Sequence, residues 1–233
     1  MPPAGPTAPA RTTAEELAVI KGQALACTKC GLAQTRTQVV WAAGDLSSEV
    51  LFIGEGPGFH EDQQGEPFVG AAGQLLDKLL AEVGTDRSKV AIVNVIKCRP
   101  PGNRDPLPDE IEACRPYLEA QLDFMRPLVI ITLGNFATKF ITGLQIGITK
   151  ARGQRFQYKD SIVIPTFHPA AALRGGRFGG MSPVDAIRAD FQLVGEALAE
   201  QRARFAPASE PAAAPEDDRS AEEIDASEQL GLF

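Results

Sequence analysis

The chain has 233 residues, 44% of them apolar, and a formal charge of −7. That length can carry one sizeable core, and no run approaches the roughly 18 apolar residues of a membrane span, which excludes a helical membrane protein. The charge is lopsided: residues 206–233 hold eight acids and one base, a net of −7 equal to that of the whole chain, so residues 1–205 are neutral and a nucleic-acid partner is not excluded.

Residues 1–12 are rich in Pro and Ala and read as disordered. They lack the apolar stretch of a signal peptide, so a cytoplasmic protein is expected. A helix is predicted over 13–26, with Thr13 as its cap and Glu16 three residues on. Four β-rich runs follow: VLFIG (50–54), VAIVNV (90–95), LVIITLG (128–134) and SIVIPTF (161–167). Each is nearly all apolar, the pattern of strands buried on both faces of a parallel sheet. Helices are predicted between and after them, over 71–83, 109–125 (interrupted by Pro116), 135–142 and 183–204. Strands alternating with helices give an α/β fold, a three-layer α/β/α sandwich around a central, mainly parallel four-stranded sheet. One domain should span 13–205, and residues 206–233 should form a disordered acidic tail.

The stretch GEGPGFHEDQQGEPFVG (54–70) follows the first strand and reads as a loop, not as helix or strand. It carries four carboxylates, Glu55, Glu61, Asp62 and Glu66. Ligands of such sheets bind beyond the carboxyl ends of the strands. There the chain places GEGPG, Asn94, Gly134-Asn135 and His168-Pro169, so one rim built from several loops is a candidate site.

There are four cysteines, Cys27, Cys30, Cys98 and Cys114, in a C-x2-C plus C-x15-C arrangement. Two cysteines two residues apart suit a metal or redox centre better than a structural disulfide. Four thiolates with none to spare fit zinc or an iron–sulfur cluster equally. The two histidines differ: His60 reads as a surface residue, whereas His168 sits between a buried strand and a proline that fixes the backbone. Asn94 interrupts an apolar run and must find partners, its own loop or a ligand offering adjacent donor and acceptor groups. Phe68 is either a core plug or a stacking platform.

Four pieces in order, CTKCGLAQTRTQVVWAAG, GEGPGFHEDQQGEPFVGAAGQLLDKLL, NVIKCRPPGNRDPLPDEIEAC and TFHPAAALR, resemble the iron–sulfur uracil-DNA glycosylases, family 4 of the uracil-DNA glycosylase superfamily. The match covers about residues 20–200. The resemblance implies that Cys27, Cys30, Cys98 and Cys114 hold a structural [4Fe–4S] cluster. It implies that Phe68 stacks on a flipped uracil, that Asn94 reads its Watson–Crick edge, that His168 contacts its O2, and that Gly56 closes against the pocket. Glu55 and Glu61 match acidic positions of the first motif. Another branch of uracil glycosylases has a water-activating aspartate where this chain has Gly56, so the water falls to Glu61 first or to Glu55 second.

The activity implied is hydrolysis of the N-glycosidic bond of uracil in DNA by a monomer at the nucleoid, releasing uracil and leaving an abasic site. A module that binds uracil-containing or single-stranded DNA without cleaving it is the alternative. Leu173 and Arg174 are candidates to wedge into the duplex and hold a phosphate, and Arg99, Arg104, Arg152 and Arg177 to contact phosphates. The chain ends in QLGLF, and Gln229, Leu230, Leu232 and Phe233 match a Q-L-x-L-F peptide that binds the bacterial sliding clamp, with Gly231 at the variable position.

Overall fold

The computed structural model describes residues 12–177 and 179–206. The N-terminal segment up to residue 11 and the tail beyond Ala206, with its 229–233 peptide, lie outside the described residues. Helix α1 (Ala14–Leu25) begins with a reciprocal capping box, in which the Thr13 hydroxyl accepts from the Glu16 amide and the Glu16 carboxylate accepts from the Thr13 amide. The remaining elements run β1 (Ala43–Gly44), β2 (Val50–Gly54), α2 (Phe59–Gln64), α3 (Ala71–Glu82), β3 (Ala91–Asn94), α4 (Pro108–Met125), β4 (Val129–Leu133), α5 (Asn135–Thr142), α6 (Ile148–Ala151), β5 (Phe156–Tyr158), β6 (Ser161–Thr166), α7 (Pro169–Leu173) and α8 (Pro183–Phe205).

The sheet order is β1-β3-β2-β4-β6-β5. The four inner strands are mutually parallel, and β1 and β5 pair antiparallel at the two edges. The sheet therefore has six strands, not four. The edge strands are two and three residues long, half-buried or exposed, and carry no apolar run that would mark them.

Successive strand residues point to opposite faces. Leu51, Ile53, Val93, Ile130 and Val163 meet α1, α4 and α5 on one side. Phe52, Ile92, Ile131 and Ile164 meet α3 and α8 on the other. Helix α4 runs through Pro116 without a break. The ring removes one backbone hydrogen bond, but Cys114, Tyr117, Leu118 and Leu122 on either side of it are buried against the sheet, and that packing holds the helix. Helix α2 lies within the stretch read as a loop. The glycines that suggested irregular backbone are its caps, Gly58 before it and Gly65 after it at φ 73°. No helix among the described residues is long and apolar enough to cross a membrane.

Candidate active site

Beyond the carboxyl ends of β2, β3 and β6 lies a cavity of about 360 Å³. Its wall includes Glu55, Gly56, Glu61, Phe68, Asn94, His168 and Arg174, so separate loops bring these residues to one place. Pro100, Asn103, Arg104 and Asp105, from the segment after β3, also line it.

The four carboxylates of the glycine-rich stretch have four different tasks. Glu55 faces the cavity. Glu61 accepts the backbone amides of Val69 at 3.0 Å and Gly70 at 2.8 Å on one oxygen, which ties α2 to the turn that carries Phe68. Asp62, 2% exposed, accepts the amides of Thr37 and Gln38 and anchors α2 to the segment after the paired cysteines. Glu66 pairs with Arg87 at 2.9 Å.

Asn94 is the last residue of β3, in register with Gly54 of β2. It is 2% exposed, and its Oδ1 is the one buried side-chain polar atom among the described residues without a hydrogen-bond partner. A buried acceptor left unpaired costs about 1–3 kcal/mol, so its place on a cavity wall is informative. The approach is close: a Cβ on Gly54 would stand 2.4 Å from Asn94 Oδ1 and 2.7 Å from the Phe68 ring. Behind Asn94, Lys97 is buried, and its ammonium donates to the Asn94 carbonyl at 2.7 Å and to Gln121. Burial pushes that ammonium down to about 7, against the pull of the Cys114 and Cys98 sulfurs.

Phe68 has φ 57°. The left-handed region costs a side-chain-bearing residue about 1–2 kcal/mol, and strain of that kind concentrates at functional sites. Its ring, 5% exposed, stacks on His168 with centroids 5.4 Å apart and planes 25° from parallel.

His168 is the N-cap of α7, with Pro169 in the first turn. Its Nδ1 accepts the Ala170 amide at 3.1 Å, which leaves Nε2 to carry the proton of the neutral ring. Burial first, then the charge of Arg174, pushes the imidazole down to about 4, against Glu61. Burial, helped by Asp105 and opposed by Arg174, lifts the Glu55 carboxyl to about 7. The site thus pairs a neutral imidazole donor with a carboxyl poised near neutrality.

The four cysteines gather on the other side of Lys97. Cys27 and Cys30 follow α1, Cys98 follows β3 and Cys114 lies in α4; all four belong to one apolar cluster and none is in a disulfide. Amide and guanidinium donors point at three sulfurs: Lys97 N to Cys114 at 3.4 Å, Arg36 Nη1 to Cys98 at 3.4 Å and Lys29 N to Cys27 at 3.5 Å. Burial pushes the Cys98 thiol up to about 11, with Arg36 opposing it. An all-sulfur donor set with hydrogen bonds aimed at the sulfurs fits a thiolate-bound metal centre. Among the described residues no three Cys, His, Asp or Glu side chains converge closely enough, as they stand, to chelate a single ion.

The basic residues divide. Arg174 lines the cavity, and Leu173, 54% exposed, stands outside its wall. Arg152 is held within the fold: it grips Asp190 through two bonds of 2.8 and 3.1 Å and also bonds the Ala186 carbonyl. Arg104 grips Glu110 in the same two-pronged way, and Arg99 bonds Asn103 at 2.7 Å and lies over the Phe59 ring. Arg177 is exposed, as is His60. The sequence reading missed Lys97, Arg87 and Asp105. A lysine inside the apolar run VIKC was the signal for the first; nothing local marks the other two.

The profile of the Uracil DNA glycosylase superfamily matches residues 41–192. The chain is 48% identical over 168 residues to the type-4 uracil-DNA glycosylase of Sulfurisphaera tokodaii, covering 68% of this chain and 76% of that protein. It is 46% identical over 165 residues to the type-4 uracil-DNA glycosylase of Thermotoga maritima, covering 70% and 86%. It is 42% identical over 190 residues to that of Archaeoglobus fulgidus, covering 78% and 93%.

Proposed function

The chain belongs to the uracil-DNA glycosylase superfamily, and we propose how this uracil-DNA glycosylase uses the rim cavity. A uracil leaves the DNA stack and enters it, because the scissile bond at C1′ is out of reach inside the duplex. The base lies on Phe68. Asn94 Oδ1 accepts from N3–H and its amide nitrogen donates to O4, a pattern that cytosine reverses. Mismatched polar groups in such a site lower the rate by about 10⁴ or more.

Breaking the N-glycosidic bond leaves negative charge on the base and positive charge on the sugar. His168, neutral and protonated on Nε2, donates to O2 and stabilises the departing anion without first losing a charge. Glu55 takes the water. Glu61 has one oxygen committed to two backbone amides, so we assign it to holding the Phe68 turn, which reverses the order the sequence suggested. Glu55 has the raised carboxyl suited to a base working near neutral pH. Arg174 and Leu173 meet the DNA beside the cavity.

Cys27, Cys30, Cys98 and Cys114 hold an iron–sulfur cluster in this reading. When bound, the cluster cross-links three segments of chain and takes no part in the reaction. The enzyme works as a monomer at the nucleoid, and residues 229–233 dock on the sliding clamp. Deleting them leaves excision from short oligonucleotides intact and abolishes clamp binding; unchanged clamp affinity ends that part of the reading.

The observation that carries the proposal is the orphaned, buried Asn94 Oδ1 on the cavity wall beside Phe68. The test incubates uracil-containing DNA with the protein and cleaves abasic sites with alkali. Wild type should release free uracil and leave alkali-labile strands, and Asn94→Ala should lose most of that rate. Asn94→Ala at the wild-type rate overturns the assignment.

A further inference from the structure

Arg87 opens a single 3-10 turn just before β3 and does not line the cavity. Its guanidinium nevertheless reaches the turn that carries Phe68. Nε donates to Asp77 Oδ1 of α3 at 3.0 Å. Nη1 donates to Glu66 Oε1 at 2.9 Å and to the Pro67 carbonyl at 3.2 Å, and Nη2 donates to the Phe68 carbonyl. One planar fork thus holds four acceptors, a task for which a lysine ammonium has the wrong shape.

From the other end, Glu61 holds the amides of Val69 and Gly70. Under these two clamps Phe68 keeps its φ of 57°. Gly73 completes the arrangement, since a Cβ there would stand 1.7 Å from the Phe68 carbonyl oxygen. A bulky residue stays in the left-handed region only where its surroundings over-determine it. Here the surroundings are Arg87, on the carbonyls of the two peptide groups that flank Phe68, and Glu61, on the two amides that follow it.

We propose that Arg87 is a positioning residue for excision: by gripping the Pro67 and Phe68 carbonyls it fixes the plane of the Phe68 ring on which the extruded uracil lies. This rests on the reading of Phe68 as the base platform. Arg87 acts through Phe68 and never touches substrate. Its two ion pairs are not the point, because Glu66 and Asp77 are about half-exposed and such pairs contribute little. What a lysine cannot reproduce is the simultaneous grip on both carbonyls.

The test uses the full-length protein as isolated. Single-turnover excision from a uracil-containing single-stranded oligonucleotide is measured for R87A, R87K, F68A and R87A/F68A, with KM for the oligonucleotide and thermal melting alongside. R87A should slow the single-turnover rate by about 10²-fold, the effect of a misplacement near 1 Å, with KM little changed. R87K, which keeps the ion pairs, should recover only part of the loss. In the F68A background the R87A change should have almost no further effect, because two residues acting as one unit are not additive.

An R87A loss of equal size in both backgrounds overturns the positioning role while leaving Phe68 as the platform. F68A at the wild-type rate overturns the platform reading and this proposal with it. If R87A does not fold, R87K decides: a folded R87K at the full wild-type rate overturns the proposal.

Discussion

The Ala170 amide donates to His168 Nδ1 at 3.1 Å, and that one bond sets which nitrogen carries the proton. Burial and the Arg174 charge keep the ring neutral until about pH 4. The donor form is then present across the physiological range. His168→Ala should lower the single-turnover rate by about 10²–10³, the usual effect of removing one such donor. The wild-type rate should show no step near pH 6.5 that His168→Ala abolishes. The folded-state value lies below the unfolded 6.5, so the unfolded chain binds the proton first. Stability from this group is therefore present above 6.5 and lost as pH falls towards 4. Thermal melts of His168→Gln against wild type from pH 7 to pH 4 measure it, and the gap should change in the variant's favour on acidification.

Glu55 behaves in the opposite sense. Its folded-state carboxyl titrates at about 7, above its ordinary value, so the folded chain holds the proton longer. Its contribution to stability is full below about 4.5 and falls as pH rises towards 7. With Glu55 as the proposed base, catalysis needs its ionised form, so excision should climb with pH up to about 7 and then level. Glu55→Gln should lose about 10²–10⁴ in rate, erase that step, and gain stability relative to wild type at pH 8. A pH–rate profile under single-turnover conditions decides between Glu55 and Glu61. If Glu61→Gln erases the step and Glu55→Gln does not, the base is Glu61.

The sequence made the four inner strands legible because each is buried on both faces and so reads as an unbroken apolar run. Asn94 stood out for the same reason, as an amide ending such a run, and His168 because proline follows it. The edge strands did not, since Ala43–Gly44 and Phe156–Tyr158 are too short to carry a period. The division of labour among Glu55, Glu61, Asp62 and Glu66 was out of reach too. It depends on which backbone amide or guanidinium each carboxylate meets after folding, and those partners lie up to 25 residues away. Arg87 is the extreme case, a surface-like residue in DRSK whose four acceptors include two carbonyls 19 and 20 residues upstream.

Gly54 tests the close approach of strand, amide and ring. A methyl group there would press on Asn94 Oδ1 at 2.4 Å and on the Phe68 ring at 2.7 Å. The methyl has to push both side chains out of place, since Lys97 and Arg87 hold the backbone carbonyls of the two residues. Gly54→Ala should cost about 1–3 kcal/mol of stability by overpacking. The excision rate should fall by about 10²-fold through displacement of the two groups. Chemical denaturation gives the first number and single-turnover kinetics the second. A stable, fully active variant would mean that the amide and ring have more freedom than these contacts allow.

The four thiols make the last prediction. Cys98 and Cys114 are each 4% exposed, in the core that α1 and α4 help form. Lys97 joins them to the cavity wall, with its amide on the Cys114 sulfur and its ammonium on the Asn94 carbonyl. Isolated protein should carry iron and absorb visible light, which zinc thiolates do not, zinc having a filled d shell. Cys98→Ser should lose the colour and most of the iron. It should also destabilise the chain by more than the roughly 1 kcal/mol of an ordinary substitution, because the tie among three segments goes with it. Since Lys97 spans the two sites, the variant should also bind free uracil more weakly, measured as product inhibition of the residual activity. Colourless wild-type protein with one zinc per chain would overturn the iron–sulfur assignment, and unchanged uracil inhibition in iron-free protein would break the proposed link through Lys97.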